Sequence, residues 1–190
     1  GKEPAYYSTV VHTAEEKEFD VHYTLQEPKG DWKSLNYEAN NWQKGGAPIG
    51  DNGDYKTRWK SDQIWVRRIF DLADVTRINE LYLKLNHDDN IEVYLNGKSV
   101  YKKIGWTNTF TYIPLEKSDL KKGNNIIAIH LKNSAGGRYL DFGLVDKPQE
   151  SGPKMQVAKQ TGVEFTATST IYNFKAGAVD LKVTFTSPLL

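Results

Sequence analysis

Ile91-Glu92-Val93-Tyr94-Leu95-Asn96-Gly97-Lys98-Ser99-Val100-Tyr101 is the stretch that decides the fold. Ile91, Val93 and Leu95 alternate with Glu92 and Tyr94, the period of a strand with one buried face. Asn96-Gly97 follows at once, and Val100-Tyr101 resumes the apolar pattern. Asn-Gly accepts positive φ at both central positions of a two-residue turn, so the stretch predicts a β-hairpin. The same period runs outward on both sides. Leu81, Leu83 and Leu85 alternate with Tyr82 and Lys84. Ile64 to Phe70 puts Ile64, Val66, Arg68 and Phe70 on one face and Trp65, Arg67 and Ile69 on the other. Ile126 to Leu131 is almost continuously apolar, as a central strand covered on both faces is. Tyr139 to Val145 closes the set, with Leu140, Phe142 and Leu144 on one side.

Helix is scarce in this pattern. Ser118-Asp119-Leu120-Lys121-Lys122-Gly123 fits one short turn, capped by Ser118 and stopped by Gly123. Gly45 to Gly53 holds four glycines and a proline and reads as a loop. Strands separated by turn signals predict an all-β sandwich or jelly roll.

Both ends stand apart from this body. Residues 1–30 form a leading β segment in which Phe19, Val21, Tyr23 and Leu25 alternate before Pro28. The sandwich proper spans 31–147, and the polar stretch 148–162, with Pro148, Gly152 and Pro153, reads as a linker. Residues 163–190 then start a new β pattern, with a turn at Lys175-Ala176-Gly177-Ala178 and alternation at Val179, Leu181, Val183 and Phe185. An isolated hairpin is marginal in water, so these extra terminal strands are expected to pair with Phe19 to Leu25. A chain that stops at Ser187-Pro188-Leu189-Leu190 reads as a piece of a longer polypeptide.

Composition removes several kinds of function. The 190 residues carry 25 Lys+Arg against 24 Asp+Glu, a net charge of +1. That balance argues against a nucleic-acid binder or a polybasic membrane binder. With no Cys, thiol catalysis, Cys-ligated zinc and disulfides are excluded. No run approaches the ~18 apolar residues of a membrane span. Lys2-Glu3 leads into Ala5-Tyr6-Tyr7 without the apolar h-region of a signal peptide. His12, His22, His87 and His130 show neither H-E-x-x-H nor H-x-H spacing, so no local metal site is indicated. Neither a G-x-S-x-G elbow nor a phosphate-binding glycine loop is present. No catalytic residue and no cofactor is therefore assigned.

Three constellations remain. His87-Asp88-Asp89-Asn90 reads either as an oxygen-donor ligand or calcium site, or as a turn in which Asp and Asn bond their own backbone. Arg67-Arg68 sends one guanidinium to each face of its strand. A buried one needs a carboxylate, and Asp88, Asp89 and Asp141 are the candidates for that polar network. The alternative is an arginine that grips a ligand. Five Trp raise the question of sugar, because aromatic faces stack on the apolar faces of pyranose rings. Trp59 and Trp106 lie in loop-like contexts and lead the candidates, with Tyr55, Arg58 and Asn108 as hydrogen-bonding neighbours. Trp42 comes second, beside glycines that let a ligand approach the backbone. The competing reading is that a small sandwich plugs its ends with Trp.

These residues also carry a resemblance. Trp42-Gln43-Lys44-Gly45-Gly46-Ala47-Pro48-Ile49-Gly50 resembles the W-x-x-G-x-A-P-[FI]-G loop of galactose-binding-like jelly rolls. Ile64-Trp65-Val66-Arg67-Arg68-Ile69-Phe70 resembles their D-I-W-V-R-R-x-F strand, with Gln63 before it here. The run from His87 to Gly97 resembles H-D-D-N-x-E-V-Y-[IL]-N-G, Leu120 to Asn124 resembles the L-K-x-G-x-N turn, and Gly136 to Leu144 is similar to the closing strand. Together they cover 31–145. The module is similar to the sugar-binding-like domain of glycoside hydrolase family 2, and closer still to a module of bacterial glutaminase A family proteins. Residues 167–190 resemble the start of that family's next domain. The resemblance implies a non-catalytic accessory module of a larger secreted or periplasmic bacterial hydrolase, with carbohydrate and neighbouring domains as partners. The alternative is a structural module that positions a catalytic domain without binding sugar. That family's helical-barrel domain has no counterpart in these residues, so any glutaminase activity would reside elsewhere.

Overall fold

The computed structural model describes residues 6–149, 164–173 and 177–186. The chain divides into two compact units, Gly1–Pro148 and Gln149–Leu190. The first contains β1 (Ser8–Val11), β2 (Asp20–Thr24), β3 (Gln43–Gly46), β4 (Ile49–Gly50), β5 (Thr57–Arg58), β6 (Gln63–Leu72), β7 (Glu80–Asp88), β8 (Asn90–Leu95), β9 (Lys98–Lys103), β10 (Thr111–Pro114), β11 (Gly123–Lys132) and β12 (Tyr139–Lys147). The second contains β13 (Glu164–Asn173) and β14 (Gly177–Thr186), paired antiparallel from Glu164↔Thr186 to Asn173↔Gly177. The expected 148–162 linker lies almost wholly outside the described residues.

The first unit is an all-β sandwich, as the alternating apolar pattern predicts. One sheet runs β10-β7-β12-β4-β5, with β1 also beside β12; the other runs β3-β2-β6-β11-β8-β9. Leu81, Leu83 and Leu85 of β7 and Leu140, Phe142 and Leu144 of β12 form one core with Ile64 and Val66 of β6, Ile127, Ile129 and Leu131 of β11, and Ile91, Val93 and Leu95 of β8. β11 lies between β6 and β8. Its outward Ile126 and Ala128 are also buried, which explains its unbroken apolar run. The hairpin turn forms at Asn96 (φ 49°) and Gly97 (φ 87°), both in the left-handed region. Buried Asn125 braces it. Its Oδ1 accepts from Asn96 Nδ2 and Lys121 N, and its Nδ2 donates to the Lys121 and Gly123 carbonyls.

The ends depart from expectation. The leading segment belongs to the sandwich itself, β1 against β12 in one sheet and β2 between β3 and β6 in the other. Both edges of β2, expected to pair with the C-terminal strands, are occupied by β3 and β6, and β13 and β14 pair with each other. The glycine-rich Gly45 to Gly53 region contributes two short strands, β3 and β4, at close approaches. A Cβ on Gly45 would lie 2.3 Å from Thr57 Oγ1, and one on Gly50 would lie 2.4 Å from the Arg138 carbonyl. The short turn is a single 3-10 turn at Lys117–Asp119, with Glu116 rather than Ser118 before it and no side-chain cap. Gly123 opens β11 with φ 86°.

Arg67 and Arg68 go to opposite faces, but neither meets a carboxylate. Arg68 points inward. Its Nη1 donates to the carbonyls of His12 (2.7 Å) and Phe142 (3.1 Å), and its guanidinium lies 3.3 Å from the centre of the Phe19 ring. Burial pushes it down to about 10. Arg67 points outward under segment 31–42, where it donates to the carbonyls of Trp32, Ser34 (2.9 Å) and Tyr37 (3.3 Å). The expected network with Asp88, Asp89 and Asp141 therefore does not form. Main-chain carbonyl oxygens accept from both guanidiniums instead, and nothing in the sequence marks which ones. Asp141 is itself capped by the backbone N–H groups of Ala14 (2.8 Å) and Glu15 (3.1 Å). That strap crosses the sheet where β12 has Gly143. A Cβ there would lie 2.3 Å from the Val11 carbonyl oxygen.

Candidate functional site

Loops gather at one end of the sandwich around a cleft of about 350 Å³. Asn52 and Gly53 come from the β4–β5 loop, Asn86 and Asp88 from the end of β7, Trp106, Thr107 and Asn108 from the β9–β10 loop, and Arg138 and Tyr139 from the start of β12. Each wall is tied down. Thr107 N donates to the His87 carbonyl (2.8 Å), and Thr107 Oγ1 accepts from His87 N (3.0 Å). Gly105 N donates to Asn90 Oδ1 (2.8 Å). Arg138 donates through Nη1 to Asp51 Oδ2 (2.8 Å), through its backbone N to Asp51 Oδ1 (2.8 Å) and through Nε to the Ser61 carbonyl (3.0 Å).

On this frame Trp106 stands 60% exposed, its Nε1 donating to Asn108 Oδ1 at 3.1 Å. That bond occupies the indole N–H, and most of the ring remains open to solvent. The neighbouring amides, carboxylate and guanidinium supply donors and acceptors. An aromatic face ringed by such groups can hold a ligand that has an apolar face and polar edges.

The two aspartates at the β7–β8 turn are pulled in opposite directions. Burial raises Asp88, and its hydrogen bond with Asp89 adds to that, pushing it up to about 6. Burial would also raise Asp89, but Oδ2 accepts from Ser134 N (2.7 Å), Ser134 Oγ (2.6 Å) and Ala135 N (3.0 Å). These bonds win and hold it at about 2. An oxygen already shared by three donors is a clamp on the Ser134-Ala135 loop, 45 residues on, where the turn reading has Asp and Asn bonding their own backbone. Among the described residues no group of three or more His, Asp or Glu converges as a metal-binding set. Burial also pushes His87 down; its Nδ1 faces the Asp89 carbonyl at 2.6 Å.

Of the six sugar candidates, the structure brings Trp106 and Asn108 together in this cleft. Trp59 is corrected: it is 0% exposed in the core, with Nε1 donating to Ser61 Oγ (3.0 Å) and the Arg138 guanidinium 5.8 Å from its ring. It is the plug that the competing reading foresaw. Tyr55 and Arg58 do not line the cleft. Trp42 lines a different one, on the face of the other sheet. Sequence reasoning missed Asn52, Asn86, Arg138 and Tyr139 as wall residues and assigned Asp88 to the arginine network. Arg138 and Tyr139 had a usable signal, since they lie in the Gly136 to Leu144 stretch that the resemblance marks.

The chain is similar in fold to parts of larger glycosidases. It matches a calcium-binding mutant of Bacteroides uniformis β-glucuronidase 2 with a TM-score of 0.54 and 15% identity, over 90% of this chain and 27% of that one. It matches a β-glucuronidase of an uncultured Clostridium species with a TM-score of 0.54 and 13% identity, over 100% of this chain and 42% of that one. It matches Ruminococcus gnavus β-glucuronidase with a TM-score of 0.53 and 11% identity, over 100% of this chain and 40% of that one. At these identities the likeness is one of fold, and this chain spans less than half of each. No protein-family model matches the chain, and no curated protein matches it.

Proposed function

We propose that this chain is a non-catalytic accessory module that binds carbohydrate for a larger hydrolase, through the loop-end cleft. The observation that carries this reading is Trp106: a large, exposed indole held by Asn108 beside Asp88 and Arg138. The fold likeness to portions of glycosidases supports the accessory role. The resemblance to glutaminase A family proteins extends the proposal to a secreted or periplasmic bacterial parent whose catalysis lies outside these residues. Among the described residues no nucleophile–base pair is assembled in the cleft, and the 190-residue chain is expected to show neither glycosidase nor glutaminase turnover.

The test is a glycan-array screen of the chain, followed by calorimetry on Trp106→Ala and Asn108→Ala. A shallow cleft recovers little buried area, so Kd in the micromolar-to-millimolar range is expected, about 4–8 kcal/mol. Trp106→Ala should abolish binding at this cleft, lowering the calorimetric stoichiometry or affinity with the fold intact. Stoichiometry and affinity unchanged by both substitutions overturn the assignment. A second reading, a spacer that docks on a neighbouring domain, is favoured by Ile104, exposed two residues from Trp106 in the same loop. It takes precedence when no glycan binds.

A further inference from the structure

We propose that the outward face of the β3-β2-β6-β11-β8-β9 sheet carries a second carbohydrate-binding site, with Trp42 and Tyr37 as its aromatic wall. The proposal rests on the same carbohydrate reading but on different residues, far along the chain from the Trp106 loop. The cleft has a volume of about 430 Å³, and Trp42, Tyr37, Asn40, His22, Arg67 and Ile69 are among its lining residues. Pockets of this size hold small ligands.

Three observations point to a built site. First, its wall is fastened from below. Arg67, 2% exposed, donates to the carbonyls of Trp32, Ser34 and Tyr37 and so pins segment 32–37 across β6. The guanidinium lies 5.1 Å from the Tyr37 ring and 6.0 Å from that of Trp42. Tyr37 meets Trp42 edge-on at 6.0 Å, and Trp32 backs Trp42 at 6.5 Å. The rings are thus ordered before any ligand arrives, which lowers the entropy lost on binding. Second, the floor is incompletely covered. Ile69 lies in the middle of a ten-residue strand yet is 52% exposed. Third, a guanidinium has five N–H groups. Arg67 commits three of them to carbonyls, and among the described residues no acceptor bonds the other two. Aromatic wall, apolar floor, spare donors and the polar ends of Asn40 and His22 together match a pyranose, which has an apolar face and hydroxyls around its rim.

The experiment follows the indole N–H signals of the 190-residue chain by NMR. The sequence has five Trp, so five signals report five places. Cellohexaose, xylohexaose and mannohexaose are titrated in turn to about 10 mM, which reaches the weak end of such affinities. The expected result is a saturable shift of the Trp42 signal with at least one of them. It should persist within about twofold in Trp106→Ala and weaken about tenfold in Ile69→Lys, a change at an exposed position of the floor. A Trp42 signal that no sugar moves, that moves only while Trp106 is intact, or that ignores Ile69→Lys overturns the second site. So does a shift with tryptic peptides of serum albumin and with no sugar. Movement of Trp42 alone removes the loop-end cleft and keeps this one; movement of Trp106 alone does the reverse.

Discussion

Replacing Asp89 by Asn tests the loop clamp, and its effect should depend on pH in a defined direction. Asp89 is 3% exposed and accepts three hydrogen bonds from Ser134 and Ala135. Folding lowers it from 3.8 to about 2. At about 1.4 kcal/mol per unit, the charged form contributes roughly 2–3 kcal/mol at neutral pH. Because the folded value is the lower one, that contribution is complete above about pH 4 and is lost as pH falls through about 2. It should be near half its full size at about pH 3. Asp88 runs the other way. Burial and its bond to Asp89 raise it to about 6, so its charged form opposes folding at neutral pH. Asp88→Asn should therefore stabilise at pH 7, and the gain should disappear as pH falls from about 6 to 4; solvent at the cleft mouth reduces its size. The assay is urea unfolding followed by Trp fluorescence at pH 7, 5 and 3. All five Trp lie between residues 32 and 106, so the signal reports the sandwich. Equal midpoints for wild type and Asp89→Asn at pH 7, or a gap that stays constant down to pH 3, would refute the clamp.

Further outcomes are expected from the same urea measurements. Trp59→Ala empties a fully buried indole site and should cost about 3–5 kcal/mol, whereas Trp106→Ala should stay within about 0.5 kcal/mol. Gly143→Ala drives a methyl into the carbonyl of the crossing strap and should cost about 1–3 kcal/mol. Asn125→Ala removes the side chain whose four hydrogen bonds tie Asn96 to Lys121 and Gly123 and should lower stability by about 3 kcal/mol, through the polar groups it leaves unpaired.

What the sequence discloses follows from how local each signal is. β8 and its turn are legible because alternation and Asn-Gly need only adjacent residues. The opposite faces of Arg67 and Arg68 are legible for the same reason. Their partners are not. Arg68 reaches a carbonyl 56 positions away and Arg67 one 35 positions away. Nothing at His12 or Trp32 marks a carbonyl as an acceptor, since every residue has one. Trp59 and Trp106 look alike in sequence, each among polar neighbours. They differ only because Trp59 follows β5 into the core while Trp106 sits in a loop held outward by His87 and Asn90. The cleft assembles four segments between Asn52 and Tyr139, so its lining emerges only from the pairing of β7 with β12.

The register Ser8↔Asp146 has a mechanical consequence. It places the entry of the sandwich beside its exit, on two antiparallel strands whose outer ends face the same way. A protein carrying this unit between two other segments can therefore host it as a cassette, its flanks leaving side by side. Tension between those flanks meets the short β1–β12 ladder at its open end and separates it one rung at a time, as a zipper opens, rather than shearing all rungs together. β1 should be the first strand to leave under load, uncovering Gly143 while the core of β6, β7, β11 and β12 stays closed.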